Sequence, residues 1–460
     1  MSNSIETINP FTEQTLNTYH LMSYQEAETA IENAHQCFEE WKLVPVAERA
    51  KLANALADVI EENKEDLVKL MVEEMGKVQT QGEQEVAVCA SICRYTAKVA
   101  ERELGNEFRD TEEGGHAIIA YRPIGVILGI QPWNFPLYQV IRYSITNLVA
   151  GNTTVMKHAS NVFGMAQKIQ DLYEAAGFPK NAYQSLLIDG KTASKCISHP
   201  YIQGVNFTGS DQTGKKVAAE AGKYSKKTVL ELGSNDAYMV LDDADLELAI
   251  KTCVTARVIN NGQTCVCAKR FIVTEKNYDA FKTGFIKAMQ QLTLGDPKAE
   301  ETDIGPMARE DLRDKLHKQV TESVKAGATL VYGGKIPDMK GFFYPASVLD
   351  DVKPGMPAYD DELFGPVAAL IKAKDDQDAM RIANDSKYGL GGGIFSKDEE
   401  YAADLAIKHF DTGMVNINGY GLAQPNLPFG GVKNSGYGRE HGGFGIKEFV
   451  NVKSVMIAEQ

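Results

Sequence analysis

From about Ser23 to Ala100 the chain repeats apolar residues three and four positions apart. The segments "YQEAETAIENAHQCFEEWKL" (24–43) and "AERAKLANALADVIEENKEDLVKLMVEEMG" (47–76) therefore predict amphipathic helices, with Gly76 closing one of them. The pattern then changes. Short β-rich runs, "IGVILGI" (124–130), "NTTVMKH" (152–158), "YQSLLI" (183–188), "QGVNF" (203–207) and "TVLEL" (228–232), alternate with helical stretches at 163–176 and 213–224. Strands separated by helices predict a parallel sheet covered on both faces, which binds nucleotides at the carboxyl ends of its strands.

A second alternating set starts near Tyr238. A helix from Ala244 to about Asn260, capped by Asp243, carries Leu246, Ile250, Val254 and Val258 on one stripe. "RFIVTE", a helix over 278–292, "ATLVYGG", a helix around 376–384, "GGGIFS" and "GMVNIN" follow, and predict a second α/β domain. Two stretches, 116–123 and the tail from Lys447, fit neither unit and read as strands. Such strands pair with each other or with another subunit.

Composition adds limits. The chain has 460 residues, 43% hydrophobic and 24% charged, as in a globular protein of two or three domains. A net charge of -14 speaks against nucleic acid or an anionic membrane as partner. No run has the length of a membrane span, and "MSNSIETINPFTEQT" has neither the basic start nor the apolar core of a signal peptide. The expected compartment is the cytoplasm. There Cys37, Cys89, Cys93, Cys196, Cys253, Cys265 and Cys267 should be mostly free thiols.

Two of these cysteines stand in "NNGQTCVCAKR" (260–270), just past the predicted helix. No second pair has zinc-like spacing, and the nearest histidines are His199 and His317, so no metal is expected. Packing is the usual fate of a free cysteine. The polar neighbours Asn260, Asn261, Gln263 and Thr264 point instead to a partly exposed, reactive Cys265. A nucleophile needs a base and an oxyanion donor. Glu231 ends an apolar strand in "VLELGSND", where desolvation would raise its pKa toward a base's working range. Asn134, in "IQPWNFPLYQVIR", offers an amide. Either residue has a plainer reading, as an exposed strand end or as a turn satisfying itself. No G-x-G-x-x-G occurs. The nearest stretch, Gly209 to Gly214 in "VNFTGSDQTGKK", could present N–H groups to a phosphate, although alone it reads better as an ordinary strand-to-helix turn.

Ten motifs, in order, resemble the aldehyde dehydrogenase superfamily over essentially the whole length: "INPFTEQT", "PWNFP", "FTGS", "LELGS", "GQTC", "GDP", "IGPM", "DELFGPV", "YGL" and "PFGGVKNSGYGRE". The resemblance implies an α/β fold with two doubly wound α/β domains and a small β oligomerisation element. Residues 1–115 and 124–232 would form the dinucleotide-binding domain and 233–440 the catalytic domain. Residues 116–123 and 441–460 would be oligomerisation strands of a homodimer or homotetramer. It implies Cys265 as nucleophile, Asn134 with the Cys265 N–H as oxyanion donors, and Glu231 as the base that activates water. Trp133, Lys157, Gly209, Ser210, Glu362 and Phe364 fall on cofactor-lining positions. Ser160 stands where members using NAD often carry Glu, which implies NADP, with NAD possible. Arg142 falls on a position facing the substrate tunnel and suits an aldehyde with a distant carboxylate. The likeness is strongest to the succinate-semialdehyde branch, though Ile259 stands where some of that branch carry a second arginine, and Arg257 does not replace it. Ser234 stands where most relatives have Gly. Cys267 would be packing, or a redox partner that captures oxidised Cys265. The alternatives are another small uncharged or cationic aldehyde as substrate, and a cofactor-independent Cys hydrolase.

Overall fold

The computed structural model describes residues 4–112 and 114–458; the outer ends of the ranges above, 1–3 and 459–460, and residue 113 lie outside the described residues. All five runs read as strands between 124 and 232 lie in one sheet. Its order is Gly436–Tyr437, Lys227–Glu231, Ile202–Thr208, Val126–Gln131, Thr153–His158, Tyr183–Ser185. The five are parallel, and Gly436–Tyr437 adds antiparallel at the edge. Their near-continuous apolar character follows from burial on both faces. One face packs on helices Val46–Glu62, Gln79–Leu104, Tyr138–Ala150 and Phe163–Ala175. The other packs on Tyr24–Trp41, Gly190–Ile197 and Asp211–Lys223. Ser23 caps the first of these helices in a capping box with Glu26. Gly76, left-handed at φ 72°, ends Lys64–Met75 as expected.

The second sheet runs Thr329–Tyr332, Ser347–Asp350, Val367–Ala373, Arg270–Thr274, Ala237–Val240, Gly392–Phe395, Asn416–Ile417, parallel except at its first pair. One expected detail is corrected. The helix after Val240 is Leu246–Val258, and its cap is Asp245, whose side chain accepts from the Leu248 N–H. Asp243 instead accepts from Ser396 Oγ and from the N–H groups of Lys397 and Asp398. The stretch 116–123 is a strand, and it pairs antiparallel with Val450–Ile457 from the tail, with Glu107–Asp110 on its other side. This ribbon exposes Phe108, Val452, Val455, Met456 and Ile457. The hairpin Ser4–Ile8 with Thr15–His20 was not legible in the pattern.

Helix Tyr138–Ala150 is buried at every residue. It lies flush on the central strand because Gly129 has no side chain: a Cβ there would meet Tyr143 Cζ at 2.1 Å. A rigid ring cannot yield as a flexible chain end would, and overpacking of this kind costs about 1–3 kcal/mol. Gly129→Ala is therefore expected to lower stability by about that much and to depress activity by displacing the helix; an unchanged urea midpoint would contradict this packing.

Candidate active site

Helix Leu246–Val258 leads into three consecutive left-handed residues, Asn260, Asn261 and Gly262, with φ of 55°, 57° and 72°. Asn tolerates that region better than most residues, and Gly occupies it freely. Gly262 has a second constraint: a Cβ there would lie 2.3 Å from the carbonyl carbon of Gly365. The thiol loop is thus pressed against the loop that carries Glu362 and Phe364.

Cys265 is partly exposed, as its polar neighbours led one to expect, but those neighbours face away from solvent. All four are buried and hold backbone. Asn260 Nδ2 donates to the carbonyls of Asn134 (2.7 Å) and Gln263 (3.2 Å). Asn261 Nδ2 donates to Gly76 (2.8 Å) and Pro306 (2.9 Å), while its Oδ1 accepts from Gly305. Gln263 Oε1 accepts from the Ala308 N–H, and Thr264 Oγ1 reaches the Ile259 carbonyl. Cys265 is half-buried at the end of this clamp. Burial pushes its thiol up to about 12, against the opposing pull of Arg142 and Lys269. Cys267 is fully buried and faces the Ile259 carbonyl at 3.8 Å; both cysteines are free thiols.

Asn134 follows strand Val126–Gln131 in a loop fixed from two sides. Its Nδ2 donates to the Gln263 carbonyl at 3.0 Å, which sets the amide beside the thiol loop and leaves one N–H to spare. On one side His158 Nδ1 accepts from the Ala159 N–H (2.9 Å), so the ring is neutral and its Nε2–H donates to the Pro136 carbonyl (2.8 Å). On the other, Glu85 accepts from the N–H groups of Leu137 and Tyr138, both at 2.9 Å, and pairs with buried Lys77, whose Nζ lies 3.8 Å from the centre of the Phe135 ring.

Glu231 is 2% exposed, and neither carboxylate oxygen has a hydrogen-bond partner among the described residues. Burial raises its pKa well above the ordinary carboxylate range, more than the Arg142 charge lowers it. The desolvation read from the strand end is therefore present.

Arg142 does not stand where it was expected. It is 1% exposed, its Nε lies 2.5 Å from Glu440 Oε2, its Nη2 donates to Thr208 Oγ1 at 3.0 Å, and its guanidinium sits over the Tyr138 and Phe429 rings. The helix around it has no open face, and a buried charge persists only with a partner. Tyr138 and Phe429 line a cavity next to Cys265, and Arg142 stands behind them, off its wall.

Two cavities meet at Cys265. The narrower, about 50 Å³, is mostly apolar, with Val88, Phe135, Tyr138, Ile259, Val266 and Phe429 on its walls. The larger, about 430 Å³, opens at the carboxyl ends of the first sheet. Trp133, Asn134, Gly209, Ser210, Glu362 and Phe364 line it. Ser210 caps helix Asp211–Lys223 by accepting from the Thr213 N–H, so the turn read as ordinary also presents a helix N-terminus to this cavity. Glu362 offers a carboxylate, and Gly233 leaves it room: a Cβ there would lie 2.9 Å from Glu362 Oε2. A phosphate-seeking helix end, a diol-accepting carboxylate and aromatic walls fit a dinucleotide. Lys157 and Ser160 are off this wall, at the end of strand Thr153–His158 and at the start of the 3-10 turn Ser160–Val162. The Ser234 hydroxyl donates to Asp236 and its N–H to Glu362, so both its polar groups are engaged away from the carboxylate of Glu231. Sequence reasoning gave no role to Lys269, Glu440, Glu85 or His158. Lys269 and Glu440 stood inside quoted motifs, but their partners lie in other segments.

The model described as "Aldehyde dehydrogenase family" matches residues 1–455. The chain is similar to the succinate-semialdehyde dehydrogenase [NADP(+)] of Mycolicibacterium paratuberculosis, 43% identical over 98% of this chain and 96% of that one. It is 42% identical to the probable succinate-semialdehyde dehydrogenase [NADP(+)] of Synechocystis sp., over 99% and 100%. The solved structure of succinic semialdehyde dehydrogenase from Streptococcus pyogenes, in complex with NADP+, superposes with a TM-score of 0.96 at 37% identity, covering 99% of this chain and 100% of that chain.

His158 provides a check on the Asn134 loop. Burial lowers its pKa from 6.5 to about 4, although the Pro136 and Gln131 carbonyls beside its two nitrogens favour the charged ring. A depressed folded pKa contributes stability that is present above pH 6.5 and lost as pH falls toward 4. Going from pH 7 to 4.5 is expected to cost the wild type about 2–3 kcal/mol more than it costs His158→Gln, read from urea midpoints. Equal acid sensitivity would show that the ring is not held neutral.

Proposed function

Because the chain belongs to the aldehyde dehydrogenase family, we propose that it oxidises succinate semialdehyde to succinate with NADP, NAD serving less well. The observation that carries the chemistry is the meeting of two unlike cavities at one thiol. Cys265 attacks the aldehyde carbonyl from the narrow side. The free N–H of Asn134 and the Cys265 N–H hold the oxyanion of the thiohemiacetal. A nicotinamide held by Trp133, Gly209, Ser210, Glu362 and Phe364 would supply hydride acceptance. Glu231, its carboxylate destabilised by burial, takes a proton from the water that hydrolyses the thioester. Lys157 and Ser160, beyond the main cavity, would hold the 2′-phosphate of NADP. A family dinucleotide site argues against the cofactor-independent hydrolase.

The choice of succinate semialdehyde rests on the names of the relatives, since Arg142 is paired with Glu440 behind the cavity wall. A second reading, a small uncharged aldehyde, is favoured by the apolar wall. Residues 1–115 and 124–232 serve as the dinucleotide domain and 233–440 as the catalytic one. The ribbon of 116–123 and the tail 441–460 serves as the oligomer interface of a homodimer or homotetramer, its exposed Val455, Met456 and Ile457 being the support.

Purified protein is expected to reduce NADP with succinate semialdehyde at least about tenfold faster, in kcat/KM, than with butanal, a discrimination of about 1.4 kcal/mol, and Cys265→Ser to abolish both reactions. Equal use of the two aldehydes would select the second reading. Ser160→Glu is expected to cut the NADP-to-NAD ratio of kcat/KM by about tenfold or more, by placing a carboxylate beside a phosphate. An unchanged ratio would remove Ser160 from cofactor choice.

A further inference from the structure

Lys269 is 1% exposed, four residues beyond Cys265. Its Nζ donates to the carbonyls of Cys265 (2.6 Å), Thr264 (3.2 Å) and Cys267 (3.4 Å), and lies 3.5 Å from Glu362 Oε1. An ammonium is costly to bury, and a methionine would fill the same space at no such cost. The acceptors that offset the cost are confined to two places: the loop that carries the thiol and the carboxylate that faces the larger cavity. Its own backbone is anchored, the N–H donating to the Asp236 carbonyl and the carbonyl accepting from Ala369, so the side chain extends from a fixed base.

The peptide plane gives this clasp a direction. In a trans peptide the carbonyl and the N–H of the next residue point opposite ways. Drawing the Thr264 carbonyl onto Lys269 turns the Cys265 N–H away from it, out of the loop's interior. The same ammonium offsets the outward negative ends of three carbonyl dipoles close to where a thiolate forms. We propose that Lys269 is a positioning residue, which aims the Cys265 N–H at the oxyanion, favours the thiolate, and ties the thiol loop to the carboxylate that seats the cofactor ribose. The inference rests on Cys265 being the reacting thiol. Lys269 is among the charges that pull the Cys265 pKa down, after Arg142.

The test is the pH profile of Cys265 alkylation by iodoacetamide, followed by peptide mass in the full-length protein without cofactor. Thiolate is the reacting form, so the rate climbs with pH, and one unit of pKa is tenfold in rate below the midpoint. In Lys269→Met the rate at pH 8 is expected to fall about tenfold and the profile to move to higher pH, with a smaller shift in Lys269→Gln, which keeps donors but no charge. Superimposed profiles in folded variants would overturn the proposal, and so would failure of both variants to fold, which would make Lys269 a structural clasp alone. Failure of the functional reading looks different: alkylation of wild-type Cys265 would leave aldehyde oxidation intact, whatever the variants do.

Discussion

The arrangement depends on one helix that has no surface. Every residue of Tyr138–Ala150 is buried, so most of the polar groups it carries find a partner inside the protein. Ser144 meets Tyr173, Asn147 meets Asn152, Tyr138 meets His441, and Arg142 meets Glu440. Asn134 stands just ahead of this helix. The helix start is held by Glu85, and the loop before it by His158. What looks like an enzyme built around a thiol is, mechanically, a set of loops fastened to one buried rod.

That enclosure explains which expectations from sequence survived. The parallel sheet was legible because both its faces are covered, which leaves an unbroken apolar signature at "IGVILGI". Gly76 and the helix at 376–384 were legible because their signals are local. Arg142 was not. Spacing along a helix says which residues share a face, but it does not say what stands opposite, and here Glu440 comes from the far end of the chain. The polar run at 260–264 was legible in its consequence, a half-exposed Cys265, but not in its bonds: its amides hold backbone from residues 76, 134, 305, 306 and 308.

The electrostatics around the site follow from the same burial. Burial raises Cys265, Glu231 and Glu362 together, and the cations Arg142 and Lys269 work against it. Neither cation is free to wander: Arg142 is held by a carboxylate and two aromatic rings, Lys269 by three carbonyls and a carboxylate. Fixed charges in a buried setting act strongly and need little reorganisation when charge develops. The apolar cavity and the polar one keep their separate characters because the thiol loop stands between them, pinned by Gly262 against Gly365.

The pairing of Arg142 with Glu440 also puts the site on a clock. The ribosome makes the arginine roughly three hundred residues before the glutamate that neutralises it, and at about 5–20 residues per second that interval is roughly 15–60 s. Until then the central helix carries a charge it cannot bury, and the first sheet lacks its closing strand Gly436–Tyr437 beside Glu231. A growing chain therefore holds its nucleophile without the enclosure that makes it useful. The reactive centre is completed only when residues 436–440 fold back onto the first sheet and its central helix.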